Sequence, residues 1–424
     1  MIILKEGDRG TRVKRLQSLL KQLGYNVGNI DGIYGSRTKN AVSSFQRDRG
    51  ILPTGVVDDI TYNRITDYYK GFRTYIVKQG DTLSGISKMF NVPINQIVIS
   101  NNIQNPDMLS IGQELIIPYR NLGVVPTDID YTYEIMEENI KALKRLYPFI
   151  EIGSIGKSVL GKELYYIKLG NGPNRVTYNA SHHALEWITS PLLMKFTENF
   201  LKAYINGENI ESYSPREIWD SSTIYIIPMV NPDGVDLVLN GLSRDNPYYN
   251  QLIQWNNGST DFSKNWSANI RGVDLNHNYN ASFEEAKKAE EEYGVYGPGP
   301  TRYGGPYPES EPETRAMVKF TREGNFRLVI AYHSQGEVIF WQYKDLAGEE
   351  NRRIAEVFSR LSGYRLGETV GISSYGGYKD WFIKEFRRPG YTIEVGLGKN
   401  PLPISQFDKI YNDNIKVLLE AAII

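Results

Sequence analysis

Apolar residues near the start of the chain recur at intervals of three and four, which is the spacing of an amphipathic helix. The first such pattern ends before Gly24 and contains Val13, Leu16, Leu20 and Leu23. A second pattern of the same kind contains Ala41, Val42 and Phe45. Between them lies a turn at residues 31–35, whose glycines adopt backbone angles that other residues disfavour. Residues 1–70 are therefore predicted to form a small helical domain.

Residues 73–119 show a different order of patterns. A strand is predicted at residues 74–77, and two short helices follow it, the second of them at residues 94–100. An edge strand at residues 115–118 closes the segment. The first helix is expected to turn Ile86, Met89 and Phe90 toward the core of this segment. A segment of this length with two strands and two helices is a small domain of its own.

From residue 131 onward, apolar strand-like segments alternate with longer helical ones. The predicted strands are residues 164–169, 176–179, 223–229, 326–331 and 390–395. The predicted helices are residues 131–146, 190–204, 311–321 and 349–362. This alternation predicts that residues 130–424 form an α/β domain, with a central sheet covered by helices on both faces.

Composition places the chain among globular proteins with room for several domains. It has 424 residues, of which 41% are hydrophobic and 23% are charged. The sequence contains no apolar stretch of the roughly 18 residues that a membrane span needs. The net charge of −1 argues against nucleic acid as a partner. Cysteine is absent, which excludes disulfide bonds and thiol nucleophiles.

Two of the four histidines fall in a pattern that suits a metal ion. His183 and Glu186 stand three positions apart, so on a helical turn their side chains point to the same face. His333, from another element, completes a set of two imidazoles and one carboxylate, with a fourth position left to water. This set is typical of a catalytic zinc site. The sequence therefore predicts one Zn²⁺ per chain, although an isolated His-x-x-Glu pair is commonly accidental.

The sequence around these ligands resembles the zinc carboxypeptidase family. Five further blocks follow the ligand pair in the order of that family: Asn231-Pro232-Asp233-Gly234, Gly272-Val273-Asp274-Leu275-Asn276-His277-Asn278, Ser310-Glu311-Pro312-Glu313-Thr314, His333-Ser334 and Tyr391-Thr392-Ile393-Glu394. The resemblance implies an α/β/α peptidase domain with a mixed central sheet. It also implies that Glu394 is the general base, which takes a proton from water and returns it to the leaving amine.

The chain departs from this family where the substrate is bound. The family follows its asparagine with an arginine that grips a terminal carboxylate, but here the pair is Asn276-His277. A neutral imidazole cannot make the bidentate fork of a guanidinium, so unless His277 is only structural, endopeptidase activity becomes possible. The family's transition-state arginine has no secure counterpart, and Arg271 or Lys264 is the candidate. Tyr375 is the nearest candidate for its mobile tyrosine.

The two N-terminal segments resemble modules of cell-wall hydrolases. The first resembles the peptidoglycan-binding domain, a bundle of three helices, through the pattern Asp31-Gly32-x-x-Gly35-x-x-Thr38-x-x-Ala41-Val42-x-x-Phe45-Gln46. The second resembles the lysin-motif (LysM) domain, a β-α-α-β unit that binds glycans containing N-acetylglucosamine. This resemblance implies a glycan groove formed by Gly80, Asp81, Thr82, Leu83, Asn105, Pro106, Met108 and Leu109. Alternatively, Asp81 and Thr82 only cap the helix that follows.

One further position bears on specificity. Lys379 lies in Gly376-Gly377-Tyr378-Lys379-Asp380-Trp381, which is similar to the loop that lines the side-chain pocket of the family. A cation there would accept a carboxylate, unless the lysine is only a solvated surface residue. Stem peptides of bacterial walls carry free carboxylates on γ-linked D-glutamate and on diaminopimelate. A wall stem peptide is therefore the expected substrate.

The whole architecture resembles γ-D-glutamyl-L-diamino acid endopeptidases, which cut the bond between γ-D-glutamate and diaminopimelate. Bacterial peptidoglycan is then the expected partner. The alternatives are a wall carboxypeptidase that trims a terminal residue, a wall-binding protein with an inactive peptidase domain, and a cytoplasmic peptide-recycling enzyme. The sequence as given shows no signal-peptide pattern. A cytoplasmic location, or a cell-wall location after release by lysis or sporulation, is therefore expected.

Overall fold

The computed structural model describes residues 2–120 and 122–424, which fold into two compact units. The first unit consists of three stretches of chain: Met1–Asp130, Glu137–Ile150 and Leu201–Asn206. The second unit consists of Tyr131–Met136, Glu151–Phe200 and Gly207–Ile424. The candidate metal ligands and Glu394 all belong to the second unit, so the site can be described within it.

Three helices and a short antiparallel strand pair begin the first unit. The helices are α1 (Thr11–Gln22), α2 (Ser36–Asp48) and α3 (Asp59–Tyr69), and the strands are β1 (Ile2–Leu4) and β2 (Val57–Asp58). Val13, Leu16 and Leu20 of α1 are buried in one hydrophobic cluster with Val42 and Phe45 of α2. The helical spacing therefore identified the buried faces correctly, and the three-helix prediction is confirmed.

The next segment has the predicted order of strand, helix, helix and strand. Its elements are β3 (Phe72–Ile76), α4 (Leu83–Phe90), α5 (Ile94–Ser100) and β4 (Glu114–Pro118), and the two strands pair in antiparallel fashion. Leu83, Ile86 and Phe90 of α4 pack into a separate hydrophobic cluster. The prediction for Met89 is wrong, since its side chain is 60% exposed. A helix of two turns buries a narrow stripe, and Met89 lies outside it.

Among the described residues, the second unit contains a mixed sheet of eight strands: β5 (Glu151–Lys157), β6 (Glu163–Gly170), β7 (Asn174–Ala180), β8 (Ser222–Ile227), β9 (Leu328–His333), β10 (Val338–Phe340), β11 (Arg365–Gly367) and β12 (Gly390–Glu394). Their order across the sheet is β11-β10-β12-β9-β7-β8-β6-β5. The central strands β12, β9, β7 and β8 run parallel, whereas β6 and β5 are antiparallel additions at one edge.

The five predicted strands correspond to β6, β7, β8, β9 and β12, so the α/β prediction is confirmed. Three strands were not predicted, and each lacks a long apolar run. β10 and β11 have three residues each, and β5 is partly exposed along its length. Strands of this kind owe their pairing to neighbours in the sheet rather than to their own pattern.

The helices from residue 133 onward are α6 (Tyr133–Leu146), α7 (Thr189–Asn206), α8 (Pro215–Ser221), α9 (Pro232–Asn240), α10 (Tyr249–Trp255), α11 (Phe283–Glu292), α12 (Pro312–Gly324), α13 (Glu349–Ser362), α14 (Tyr378–Phe386) and α15 (Phe407–Ile423). On one face of the sheet, Val329 and Ala331 of β9 cluster with Trp381 of α14. On the other face, the hydroxyl of Tyr178 donates to the carbonyl of Leu418 in α15, at 2.9 Å. No helix of the described residues is long and apolar enough to cross a bilayer.

The sheet also explains where the polar side chains of interest converge. His333 is the last residue of β9 and Glu394 the last of β12, and the two are register partners in a parallel pair. β7 runs parallel to β9 and ends at Ala180, three residues before His183. Because these strands are parallel, their carboxyl ends meet at one edge of the sheet, where open α/β sheets place their sites.

Candidate active site

Three side chains predicted as metal ligands come together at this edge. His183 Nδ1 lies 2.9 Å from Glu186 Oε1, and His333 Nδ1 lies 2.8 Å from Glu186 Oε2. The two imidazole nitrogens are 3.3 Å apart. His333 is fully buried, and Glu186 is nearly so. Among the described residues, this is the one group of histidine and carboxylate side chains arranged to hold a metal ion.

A tight turn after β7 presents the first two ligands. Ser181 adopts a left-handed backbone conformation with φ of 54°, which turns the chain sharply at the strand end. A 3-10 turn at Ala184–Glu186 follows, with His183 at its start. The side-chain amide of Asn231 donates to the carbonyl of His182 at 3.0 Å, and the backbone N–H of Ala184 donates to Ser267. The ligand turn is thus fixed from both sides.

Asp274 supports His183 from behind, a role that the sequence did not reveal. Its Oδ1 lies 3.1 Å from His183 Nε2. An ionised carboxylate only accepts hydrogen bonds, so Nε2 carries the proton and Nδ1 presents a lone pair to the metal position. Burial opposes ionisation of Asp274, but His183 and His277 hold its pKa well below the usual range. The one sequence signal was its place in the Gly272–Asn278 block.

The donor set fits a cation. His183 Nδ1, His333 Nδ1 and the Glu186 carboxylate all point lone pairs at the same small space, which is repulsive unless positive charge lies between them. Burial disfavours a charged His183, yet Glu186 and Asp274 raise its pKa well above the usual range. The site therefore favours positive charge strongly, and two imidazoles with a carboxylate match the ligand preference of zinc.

Asn400 supports the ligand Glu186, and no sequence pattern marked it. Its side-chain amide donates to the carbonyl of Ser334 at 2.6 Å and lies 3.4 Å from Glu186 Oε1. The hydroxyl of Ser334 donates back to Asn400 Oδ1 at 2.8 Å. This pair of bonds ties the loop that follows His333 to the loop that follows β12. Asn400 therefore helps to position Glu186.

Glu394 lies beside the ligand set, in the wall of a cavity. Burial and the negative charge of Glu186 raise its pKa well above the usual range, and His183 opposes this shift. A carboxyl group that prefers to be neutral in this position holds a proton well. A cation between the ligands would lower that preference, so the group can both take up and release a proton.

The cavity has a volume of about 620 Å³ and extends from the ligands along β12 and β10. His183, Glu394 and Asn400 border the cavity near the ligands, and Thr392 and Phe340 continue its wall. The candidates Asn276, His277 and Lys379 also line it. Asn276 Oδ1 accepts from the backbone N–H of Tyr378, and His277 Nδ1 is buried with no partner in the described part of the chain.

Lys379 is not a solvated surface residue, because it is only 2% exposed. Its ammonium donates to the carboxylate of Asp380, which is 3% exposed and also lines the cavity. Burial raises the pKa of Asp380, and Lys379 opposes that shift. The cavity wall therefore presents a buried pair of opposite charges here, rather than the single cation considered from the sequence.

The structure does not bring Arg271, Lys264 or Tyr375 to the cavity wall. Arg271 Nε donates to Glu311 Oε2 at 2.9 Å, so its charge is already paired. Lys264 is exposed, and Tyr375 is partly exposed. The arginine that does line the cavity is Arg302, which sequence reasoning missed because it lies outside every recognised block.

The candidate glycan residues lie on two loops of the first unit, and several have local structural roles. Thr82 accepts from the backbone N–H of Gly85 at 3.1 Å and is the N-cap of α4, as the alternative reading held. Asp81 accepts from the hydroxyl of Tyr75, and Leu83 is buried in the core. Met108 is 73% exposed. The role of these residues in glycan binding stays a prediction.

Comparisons with known proteins agree with this arrangement. The zinc carboxypeptidase family profile matches residues 136–417, and profiles of a peptidoglycan binding domain and a LysM domain match residues 9–65 and 75–118. The chain is 43% identical over 399 residues to gamma-D-glutamyl-L-diamino acid endopeptidase 1 of Lysinibacillus sphaericus, which covers 81% of this chain and 98% of that protein.

More distant relatives share the peptidase fold. Carboxypeptidase A1 of Bos taurus is 24% identical over 284 residues, which covers 63% of this chain and 61% of that protein. The structure of bovine thrombin-activatable fibrinolysis inhibitor, in complex with tick carboxypeptidase inhibitor, has a TM-score of 0.53 at 20% identity. The alignment covers 70% of this chain and 97% of that chain.

The family match spans well over half of the chain and contains the ligand set, Glu394 and the cavity. The two N-terminal matches fall on the helical segment and on the strand-helix-helix-strand segment. The chain thus carries a peptidoglycan-binding domain and a LysM domain ahead of its larger α/β domain. By its sequence, fold and site, this chain is a metallopeptidase that belongs to the zinc carboxypeptidase family.

Proposed function

We propose that this metallopeptidase hydrolyses the bond between γ-D-glutamate and diaminopimelate in peptidoglycan stem peptides, with one Zn²⁺ held by His183, Glu186 and His333. The observation that carries the proposal is the convergence of these three side chains beside Glu394 in one cavity. The name of the relative that is 43% identical supports the choice of bond. The two N-terminal domains support wall material as the substrate.

Zinc in this position would supply a Lewis acid for the scissile carbonyl and lower the pKa of a water molecule. Glu394 then takes the proton of the attacking water and delivers it to the leaving amine of the diamino acid. Its buried position and its raised pKa suit a group that carries a proton between two steps. Asp274 and Asn400 hold the ligand side chains in place during these steps.

The substrate's diamino acid suits the buried part of the cavity wall that Lys379 and Asp380 form. Diaminopimelate ends in a carbon that bears both an ammonium and a carboxylate group. Lys379 and Asp380 present the complementary pair of charges, and both are almost completely buried. Asn276 and His277 are the candidates for contacts to the backbone of the same residue. The imidazole of His277 cannot make the bidentate grip of a guanidinium, so the site does not demand a free carboxylate at this point of the substrate.

The test is mass spectrometry of defined muropeptides after incubation with the zinc-loaded protein. Tripeptide and tetrapeptide stems with diaminopimelate should both be cut directly after L-Ala-γ-D-Glu. Loss of only the terminal residue of the tetrapeptide would instead assign a carboxypeptidase activity. If the protein holds one zinc ion and cuts neither stem, the proposed reaction is wrong and the wall-binding domains serve another purpose. A Glu394→Gln variant with full zinc content is the matched negative control.

A further inference from the structure

Arg302 is a charged residue at the cavity wall to which the proposed reaction assigns no role. Three cationic side chains line the cavity in the described part of the chain: Arg302, Lys379 and Lys399. Lys379 is neutralised by Asp380. The guanidinium of Arg302 has no carboxylate within ion-pair distance among the described residues, and it lies over the ring of Tyr293, 5.1 Å from the ring centre.

The backbone of Arg302 is held firmly beside the metal ligands. Its N–H donates to Asp274 Oδ2 at 2.8 Å, while Asp274 Oδ1 bonds His183. On the other side, the N–H of Gly304 donates to Glu290 Oε1 at 2.9 Å. Arg302 itself has φ of 70°, an unusual value for a residue other than glycine. Such a conformation persists where surrounding contacts determine it. The Cα and Cβ atoms of Arg302 are therefore held in a fixed position relative to His183.

Stacking on Tyr293 leaves the guanidinium able to bind an anion. A cation over an aromatic face is attracted by the ring, and its N–H groups stay free at the edge of its plane. That edge is the fork that matches a carboxylate with two parallel hydrogen bonds. Glu368, also in the cavity wall, adds a negative charge nearby, so a general attraction for anions is not expected. The geometry instead favours one directed contact, between the guanidinium of Arg302 and a single carboxylate.

The position of Arg302 decides which part of a substrate it meets. Lys379 and Asp380 are buried in the cavity wall, whereas Arg302, Glu368 and Val370 are exposed and mark the side of the cavity that faces solvent. A stem peptide remains attached to the glycan through its acyl part, so that part must leave the cavity on the side that faces solvent. A γ-linked glutamyl residue there carries a free α-carboxylate, which an ordinary α-linked residue lacks.

We propose that Arg302 binds the free α-carboxylate of the γ-linked glutamyl residue on the acyl side of the scissile bond, and thereby selects this isopeptide linkage. The inference rests on the proposed function. It makes Arg302 a specificity-determining residue that is separate from the metal ligands, from Glu394 and from the pocket for the diamino acid. It also implies discrimination against stems in which this carboxylate is amidated.

The test compares two substrates on the zinc-loaded full chain: L-Ala-γ-D-Glu-diaminopimelate and the same tripeptide with the glutamyl α-carboxylate converted to a carboxamide. The wild type should prefer the carboxylate by about tenfold or more in kcat/KM. Arg302→Gln should lower kcat/KM for the carboxylate substrate about ten- to hundredfold, the range expected for hydrogen bonds to a charged group, and leave the amide substrate nearly unchanged. Glutamine keeps the Cβ, so the backbone strain at this position is not altered.

Lys399→Gln is the matched control, since Lys399 is a cation at the same wall and has no ion-pair partner among the described residues. It should keep the preference for the carboxylate. A second readout is calorimetric binding of the product L-Ala-γ-D-Glu and of its α-amide. The wild type should bind the carboxylate product more tightly than the amide, and Arg302→Gln should abolish this difference. An equal loss on both substrates, or no preference in the wild type, would overturn the inference while hydrolysis continues. If the wild type cuts neither substrate, the proposed function is wrong. The product-binding comparison then tests separately whether Arg302 binds the α-carboxylate.

Discussion

Replacing Asp274 by asparagine tests whether the buried carboxylate behind His183 supports metal binding. Asp274 accepts hydrogen bonds from the His183 ring, the backbone N–H groups of Asn276 and Arg302, and the Thr301 hydroxyl. Asparagine keeps the size of the side chain but loses its charge and one acceptor oxygen. His183 would then lose the partner that fixes its tautomer and raises its basicity.

The expected loss of zinc affinity is about ten- to hundredfold, which corresponds to about 1.4 to 2.7 kcal/mol. This range follows from the single charged contact to one of three ligands, because the other two ligands do not touch Asp274. The contacts to Asn276 and Arg302 also hold the surrounding loops, so some loss of cavity order adds to the effect. Catalytic activity at saturating zinc should fall less than the zinc affinity does.

The assay is competition for zinc against a fluorescent chelator of known affinity, with circular dichroism as the check on folding. Asp233→Asn is a suitable control, since Asp233 is a buried carboxylate in the same unit that bonds the N–H of Leu160 and no ligand. An Asp274→Asn protein that folds normally and binds zinc as tightly as the wild type would refute the reasoning. Equal losses in both variants would attribute the effect to general destabilisation.

Three further predictions concern the base, the metal and a buried acid. Glu394→Gln should reduce turnover at least about hundredfold with zinc content unchanged, measured by kinetics and elemental analysis, and full activity would remove Glu394 from the mechanism. Removal of the metal by a chelator should abolish hydrolysis, and one equivalent of zinc should restore it; activity that persists in metal-free protein contradicts the proposal. Burial raises the pKa of Glu313 to about 7 from 4.5. Its stabilising contribution is therefore complete below pH 4.5 and is lost as the pH rises through 7, because only the unfolded chain ionises in between. In urea unfolding, Glu313→Gln should remove a few kcal/mol of this pH dependence, whereas the exposed Glu323→Gln should not; parallel profiles for all three proteins would refute the shift.

The sequence predicted the parts of the site whose spacing is local or tied to strand ends. His183 and Glu186 share one turn, and a polar residue at the end of an apolar strand, such as His333 or Glu394, points to the functional edge of an α/β sheet. These positions are marked by their own neighbours along the chain. The central strands were predictable for the same reason, because each is a continuous apolar run.

The supporting residues could not be predicted, because their partners are remote. Asp274 lies 91 residues from His183, and Asn400 lies 214 residues from Glu186. An aspartate or asparagine in a loop has no pattern that separates a ligand support from an ordinary turn residue. The roles of Arg271 and Arg302 could not be predicted for the same reason. The fold pairs Arg271 with Glu311 and brings Arg302 to the cavity, and neither contact is visible in the neighbouring sequence.

The residues at strand ends carry out the reaction, whereas the residues on loops and at the start of a helix determine which substrate is bound. His333 and Glu394 end adjacent parallel strands, whose backbone pairing fixes their distance whatever the loops do. Arg302 lies on a connecting loop, and Lys379 lies in the first turn of α14, so their directions depend on local contacts such as those of Asp274 and Asp380. Substitutions at the strand ends should therefore abolish hydrolysis of every substrate. Substitutions at Arg302 or Lys379 should instead change which peptide is cut, because the scaffold that carries the chemistry does not depend on them.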